Sequence, residues 1–177
     1  AVVNPHLYAK LPYDTFRDFA PITLLATVEN ALVVHPSVKA NSVQELIALA
    51  RANPGKLSYS SPGVGSQAHV AGELLGSMAG VRMLHVAYKG MAPAMNDLLG
   101  GQVSFMFLSM TSAVKQAQAG KLRALGVASA RRSAAAPELP TVAEQGLPGF
   151  EAVSWYALMA PANTPPDAKD DVATADF

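Results

Sequence analysis

The sequence predicts an α/β fold: a doubly wound, mostly parallel sheet with helices on its faces. Three observations lead to this prediction. Short apolar runs alternate with amphipathic stretches through the middle of the chain, the connections are short, and capping or stop signals mark the helix ends. The apolar runs near residues 57, 83, 103 and 122 are expected to form the parallel core.

The first half of the pattern has clear local signals. Residues 22–27 and 31–35 are apolar runs and are interpreted as strands. Ser42 and Glu45 have the spacing of a capping box, which predicts a helix that ends at Asn-Pro-Gly, residues 53–55. A strand at residues 57–60 follows, and then a helix over residues 66–79 that Gly80 ends.

The second half repeats the alternation. It predicts strands at residues 83–86, 103–108 and 122–127, separated by helices at 93–99 and 111–119, with Pro93 in the first turn of the former. Thr141 and Glu144 form a second capping box and predict a short helix that Gly146 ends. Residues 155–160 are expected to form the last strand.

The flanks lack this pattern. Residues 1–21 carry prolines among aromatic and charged residues and are interpreted as an irregular segment, whereas residues 22–161 form the α/β domain. Residues 162–177 hold few core-forming side chains and are expected to be disordered or packed against a neighbouring molecule. No basic and apolar leader opens the sequence, so its start is expected to be a cut.

Composition excludes several classes of function. Thirteen basic residues balance thirteen acidic ones, which argues against nucleic acid as a partner. No apolar run approaches the roughly 20 residues that a membrane-spanning helix needs. The sequence has no cysteine, so disulfides, thiolate metal sites and cysteine nucleophiles are excluded.

A Ser/Gly-rich turn between the strand ending at residue 60 and the next helix is the main candidate site. Such a turn brings free backbone N–H groups, hydroxyls and a positive helix end into one small volume, which suits a carboxylate or a phosphate. The alternative is that Ser66 only caps the helix. The candidate ligand-binding residues here are Ser60, Ser61, Gly65 and Ser66.

Two other segments follow strands at the same predicted edge of the sheet. Tyr88, Lys89 and Gly90 precede one helix, and Lys89 is interpreted either as a solvated charge or as support for the same pocket. Ser109 precedes another helix, where a capping role is the alternative.

No metal, cofactor or catalytic site is predicted. His69 and His85 are sixteen residues apart and no acidic residue has ligand spacing to either, so zinc is not expected. Ser66 and His69 are the only nearby nucleophile and base, and neither a nucleophile elbow nor an orienting acid accompanies them. His69 is instead expected to pack or to form a hydrogen bond.

Several motifs, in order and spacing, resemble the Bug receptors, also called the TctC family, which are the periplasmic solute-binding proteins of tripartite tricarboxylate transporters. The resemblance covers residues 4–166. The motifs are Pro5-His-Leu-Tyr8, Leu11-Pro-Tyr-Asp14, Phe16-Arg-Asp-Phe-Ala-Pro21, Tyr59-Ser-Ser-Pro-Gly63, Tyr88-Lys-Gly90, Gly120-Lys-Leu-Arg-Ala124 and Leu139-Pro-Thr-Val-Ala-Glu144.

This resemblance implies a periplasmic-binding-protein-like domain that holds a small carboxylate between helix N-termini and delivers it to a membrane permease. Ser109 follows Leu108 where many members of the family carry an Asp. The family also has an upstream Pro-Gly-Gly turn that nothing here matches, so the chain resembles an excised second domain with crossover segments near residues 21–34 and 148–161.

Two classes of function stay open from the sequence. The first is a receptor domain for a small carboxylate, and the second is an interaction module that pairs with another copy of itself. The second follows from apolar side chains on the crossover segments, which lack a cover and are expected to favour a homodimer. These side chains are Ile22, Leu24, Leu25, Leu32, Trp155 and Leu158.

Overall fold

A computed structural model describes residues 3–173 of the chain. The strands are β1 (Phe19–Val28), β2 (Asn30–Val34), β3 (Ser58–Ser61), β4 (Leu84–Ala87), β5 (Phe105–Ser109), β6 (Arg123–Val127) and β7 (Ser154–Pro161). The helices are α1 (Asn4–Leu7), α2 (Val43–Ala52), α3 (Gln67–Ala79), α4 (Met91–Leu99), α5 (Met110–Gln118) and α6 (Pro166–Ala173). None of the helices within residues 3–173 is long and apolar enough to cross a membrane.

The chain divides into two compact units. Residues 28–154 form one, and residues 1–27 together with 155–177 form the other. The sequence predicts an α/β domain that covers residues 22–161. Residues 22–27 and 155–161 instead belong to the smaller unit. The reason is the pairing of β1 with β7 in a two-stranded sheet of their own.

A five-stranded sheet with the order β4-β3-β5-β2-β6 forms the centre of the larger unit. β3 runs parallel to β4 and β5. β2 runs antiparallel to β5 and β6, and Leu32 lies opposite Phe107 on one side and Gly126 on the other. The four strands near residues 57, 83, 103 and 122 therefore share one direction in one sheet, as predicted, with one reversed strand between the last two.

The core packs helices against this sheet. α3 contacts β3, β4 and β5, while α5 contacts β2, β5 and β6. Leu46, Leu75 and Leu98 supply fully buried side chains from α2, α3 and α4. Burying each such side chain contributes about 1.5–3 kcal/mol, so these contacts account for the stability of the layers. The α/β fold class predicted from the sequence is confirmed.

Local signals set the helix ends. The Ser42 hydroxyl accepts from the Glu45 N–H at 3.1 Å, and the Glu45 carboxylate accepts from the N–H of Asn41 at 2.7 Å, so the predicted cap forms. Gly80 ends α3 with a φ of +63°, which a residue without Cβ adopts at low cost. The N–H of Val81 then donates to the carbonyl of Gly76 at 2.9 Å.

Four expectations need correction. The second capping box forms, because Glu144 N–H donates to Thr141 Oγ1 at 3.0 Å, but the segment makes only turns up to Gly146 and no helix. Residues 166–173 form helix α6, where disorder is one of two expectations; packing of this tail against a neighbouring molecule stays a prediction, and residues 174–177 lie outside the described part. The irregular N-terminal segment contains α1 and the start of β1. Leu32, expected to be uncovered, is fully buried in β2.

Candidate functional site

Three polar segments lie at the carboxyl ends of β3, β4 and β5. These strands are parallel neighbours, so their carboxyl ends share one edge of the sheet. Each is followed by a helix of at least nine residues, α3, α4 or α5, with Ser66, Gly90 and Ser109 at the respective N-cap positions. The first N–H groups of a helix have no partner within it and carry partial positive charge. Three such helix ends therefore begin at this edge.

The turn between β3 and α3 folds around the carbonyl of Gly63. Ser61 Oγ and Ser66 Oγ donate to this oxygen at 3.0 Å and 2.7 Å. Gly65 has a φ of +80°, a conformation that glycine adopts without strain. Ser66 Oγ also accepts from the N–H of His69 at 3.4 Å, so the capping role considered for Ser66 is real. We name residues 61–66 the anion turn for the use proposed below.

The segment after β4 is hydrogen-bonded to the anion turn. The N–H of Tyr88 donates to the carbonyl of Ser61 at 3.0 Å, and the N–H of Gly90 donates to the carbonyl of Pro62 at 3.0 Å. Lys89 between them is exposed and makes no hydrogen bond or ion pair with any residue in the described part of the chain. Its ammonium group is thus available to a ligand at this edge.

Tyr88 points its hydroxyl group at helix α4. Its Oη donates to Asp97 Oδ2 at 2.5 Å. This hydrogen bond to the carboxylate is the main reason why the pKa of Tyr88 is raised to about 12. The phenol therefore stays protonated and holds α4 to the segment that carries Lys89.

Ser60 differs from the other predicted site residues. Successive side chains of a strand project to opposite faces, so Ser60 and Ser61 point away from one another. Both are fully buried, and Ser60 Oγ has no hydrogen-bond partner among the described residues. The contribution of Ser60 to binding stays a prediction.

Ser109 lies at the end of β5, opposite Asn30 on β2. Its Oγ donates to Ser112 Oγ at 3.1 Å and does not cap α5. Met110 N–H donates to the carbonyl of Glu29 at 2.9 Å, which ties the start of α5 to the segment before β2. Ser109 and Ser112 therefore both lie at the start of α5, at the edge of the sheet where α3 and α4 also begin.

Sequence reasoning missed the residues that join these segments. The side-chain amide of Gln67, the first residue of α3, donates to the carbonyl of Ala152 at 2.6 Å. Asn30 Nδ2 donates to the same carbonyl at 3.4 Å and lies 3.2 Å from Ser154 Oγ. These contacts connect residues about 85 or more positions apart in the chain, so no local signal announces them.

A stack of rings lies against the anion turn and was also missed. His69 and His85 have ring centroids 4.0 Å apart and nearly parallel planes, and Tyr59 stacks on the other side of His85 at 4.9 Å. Because the two histidines are sixteen residues apart, no local sequence pattern predicts this contact. Only the parallel register of β3 and β4, with His85 opposite Tyr59, explains it.

The arrangement lacks the features of a catalytic or metal centre. His69 Nδ1 accepts from the N–H of Gly65 at 3.1 Å while Ser66 Oγ donates to Gly63, so His69 does not act as a base for Ser66. Within residues 3–173 no group of three or more His, Asp or Glu side chains could hold a metal ion. What the edge offers is hydrogen-bond donors and one exposed cation.

Comparison with known proteins agrees with this picture. The family described as "Tripartite tricarboxylate transporter family receptor", TctC, matches residues 1–176. The chain belongs to the TctC family. This is a family of receptors and not of enzymes, which confirms both the resemblance seen in the sequence and the prediction that the chain is not an enzyme.

Several curated relatives are about twice as long as this chain. A UPF0065 protein of Pseudomonas sp. strain P51 is 44% identical over 165 residues, which are 93% of this chain and 49% of that protein. The chain thus spans about half the length of the curated relatives that it matches.

Solved structures of similar proteins include carboxylate complexes. An R. palustris protein crystallised with adipate has a TM-score of 0.82 and 37% identity, over 93% of this chain and 55% of that one. MatC from Rhodopseudomonas palustris with bound malate has a TM-score of 0.83 and 30% identity, over 97% and 59%. The periplasmic binding protein BugD has a TM-score of 0.83 and 36% identity, over 96% and 57%.

Proposed function

We propose that residues 28–154 form one side of the binding site of a periplasmic solute receptor that binds a small dicarboxylate and delivers it to a membrane permease. Membership of the TctC family supports the receptor role. Two similar structures hold adipate and malate, which both carry two carboxylates. Because this is a family of receptors, the proposed activity is binding and release.

The observation that carries this proposal is the meeting of three helix starts at one edge of the sheet. Ser66, Gly90 and Ser109 begin α3, α4 and α5, and the partial positive charge at the N-terminus of a helix favours an anion. The hydrogen bonds between the segments after β3 and β4 keep two of these helix ends side by side. A carboxylate of the ligand would accept from these groups.

Each candidate residue has a distinct role in this proposal. Ser61, Gly65 and Ser66 shape the anion turn, and Lys89 supplies a positive charge. Tyr88 and Gly90 hold that lysine beside the turn through the bonds described above. Ser109 offers a hydroxyl at the third helix end, and Ser60 supports the turn from the buried side.

Affinity for a ligand held by these residues alone should be weak. Contacts from one side leave much of a small ligand in water, so we expect a Kd on the order of millimolar or moderately tighter. Malate and adipate are the probes, added up to about 50 mM while backbone amide shifts are recorded by NMR. Shifts are expected in the anion turn and at residues 88–90 and 109–112.

Matched variants make this test specific. Lys89→Gln should weaken binding several-fold, because it removes an exposed positive charge next to the anion turn, whereas Lys56→Gln at the amino end of β3 should leave it unchanged. The diamides of both acids are controls that should not bind. Shifts that map elsewhere, or submicromolar affinity for either acid, would show that the one-sided site is wrong.

A second candidate function is self-association of the smaller unit. Leu24 and Leu25 on β1 and Trp155 and Tyr156 on β7 are each at least half exposed. Paired strands with uncovered apolar side chains tend to find a partner, and a second copy in a two-fold dimer is the commonest solution. Sedimentation equilibrium tests this: a single species of 18.4 kDa at every concentration would contradict it.

A further inference from the structure

The two histidines that stack beneath the anion turn contact it at two different atoms. His69 Nδ1 accepts from the N–H of Gly65 at 3.1 Å, and His85 Nε2 lies 2.7 Å from Ser61 Oγ. We assign the hydroxyl hydrogen of Ser61 to the carbonyl of Gly63, 3.0 Å away, and in the matching tautomer His85 Nε2 donates to Ser61 Oγ. The His69 imidazole therefore occupies the N–H of Gly65, and the His85 imidazole orients the hydroxyl group of Ser61.

We propose that His69 and His85 are positioning residues of the anion turn and couple anion binding there to the uptake of one proton. The inference rests on the proposed function, because it concerns the same site. Protonation of His69 at Nδ1 turns its acceptor into a donor, so the N–H of Gly65 loses its partner and becomes available to a ligand. The new positive charge also attracts the anion.

The stack limits the pair to one proton. With ring centroids 4.0 Å apart, two imidazolium charges would repel one another strongly. Burial, and then the charge of His69, lower the pKa of His85. Because His69 Nε2 faces the Glu73 carboxylate at 4.0 Å, we assign the proton to His69. His85 stays neutral and keeps its bond to Ser61.

The surrounding groups favour this division. Glu73 Oε1 lies 4.0 Å from His69 Nε2 and accepts from the hydroxyl of Tyr59 at 2.5 Å, so it faces the proton-binding member of the pair. β5 contributes only the apolar ring of Phe105, which stacks on Tyr59. Arg82 lines a groove together with Glu73, and Lys89 follows β4 and is exposed.

The sign of the coupling follows from linkage. An anion in the turn favours the protonated pair, so binding takes up a proton and the affinity falls as the pH rises. One proton allows at most about a tenfold loss of affinity per pH unit. The affinity is therefore measured from about pH 5.5 to 8, the range in which histidine side chains commonly change charge.

Sulfate is the probe for this test, because its charge is constant over that range. Its Kd is measured by NMR titration across the range, and proton uptake by calorimetry in two buffers of different ionisation enthalpy. His69→Asn keeps an acceptor near the Nδ1 position but does not titrate, so the pH dependence should vanish. His85→Phe keeps a stacked ring but loses the bond to Ser61, so affinity should fall at every pH, and His85→Gln should restore it.

His35→Asn is the matched control, since His35 bonds to Ser37 Oγ at 2.7 Å and contacts no part of the anion turn, and it should leave the pH dependence unchanged. If sulfate binds with the same affinity at every pH, or His69→Asn keeps the slope, the coupling is wrong although the site stands. If sulfate does not bind, the proposed anion site is wrong, and the link between His69 and Gly65 is tested by a pH titration of the chain without sulfate. In that case the amide shift of Gly65 must still titrate together with His69, and a Gly65 shift that ignores pH would overturn it.

Discussion

Replacing Gly72 by alanine tests how tightly the ring stack is packed. Gly72 is buried in α3 and faces Tyr59, whose ring is fully buried between Phe105 and His85. A Cβ added at residue 72 would lie 2.6 Å from Cζ of Tyr59 and closer still to Cε2. The ring has little freedom to retreat, because neighbours stack on both of its faces and its hydroxyl is bonded to Glu73.

The expected cost can be set from two opposing effects. Overpacking a filled core costs about 1–3 kcal/mol, while alanine in place of glycine inside a helix returns about 1 kcal/mol. Gly72→Ala should therefore lower the free energy of unfolding by up to about 2 kcal/mol, which lowers the urea midpoint by up to roughly 1 M. Urea unfolding followed by far-UV circular dichroism measures this shift.

Two further variants show whether the clash is the cause. Ser77→Ala, on the exposed side of α3, should raise stability by a few tenths of a kcal/mol at most, since it changes helix propensity alone. In a Tyr59→Leu background the ring is gone, so Gly72→Ala should there be neutral or stabilising by about 1 kcal/mol. If Gly72→Ala stabilises the unsubstituted chain as well, the packing argument is refuted.

Three other predictions follow from the hydrogen bonds and the pKa values. Gln145→Ala should destabilise the chain by about 1–3 kcal/mol for each buried backbone group of α2 and β6 that it leaves unpaired; Gln118→Ala is the exposed control, and equal urea midpoints for the two would contradict the prediction. Burial lowers the pKa of His85, so the unfolded chain binds a proton more readily than the folded chain, and stability should fall between about pH 7.5 and 5.5. If the urea midpoint of His85→Gln falls just as much over this range, the pH dependence comes from another group. The pKa of Tyr88 is raised to about 12, so it should ionise late in an ultraviolet absorbance titration and return towards its ordinary value in Asp97→Asn; an unchanged titration curve in that variant would disprove the role of the carboxylate.

Signals within a few residues of each other were sufficient to predict most elements. The Ser42 cap, the Gly80 stop and the strand at β7 all form where the sequence indicates them. Thr141 and Glu144 show the limit of such signals, because their reciprocal bonds form and yet only turns follow. A cap satisfies the first N–H groups, but Gly146 and Pro148 leave too few residues to complete a helix.

The residues that organise the candidate site depend on long-range pairing. The sequence placed serines and Lys89 at strand ends, which the sheet brings to one edge, because parallel strands align those ends. It gave no sign that Asn30 and Gln67 share the carbonyl of Ala152, or that His69 and His85 stack. Such contacts arise from strand order and register, which periodicity does not encode.

The reversed strand β2 bears on how the chain is made. Its five residues are all buried, and its two partners, β5 and β6, emerge from the ribosome much later. Until residues 105–127 have been synthesised, β2 is an apolar segment with unpaired N–H and carbonyl groups on both sides, which is the kind of segment that aggregates or recruits a chaperone. A nascent chain that stops before Phe105 should therefore be sensitive to proteases and prone to aggregation. A chain that extends past Val127 should be able to pair β2 with both of its neighbouring strands.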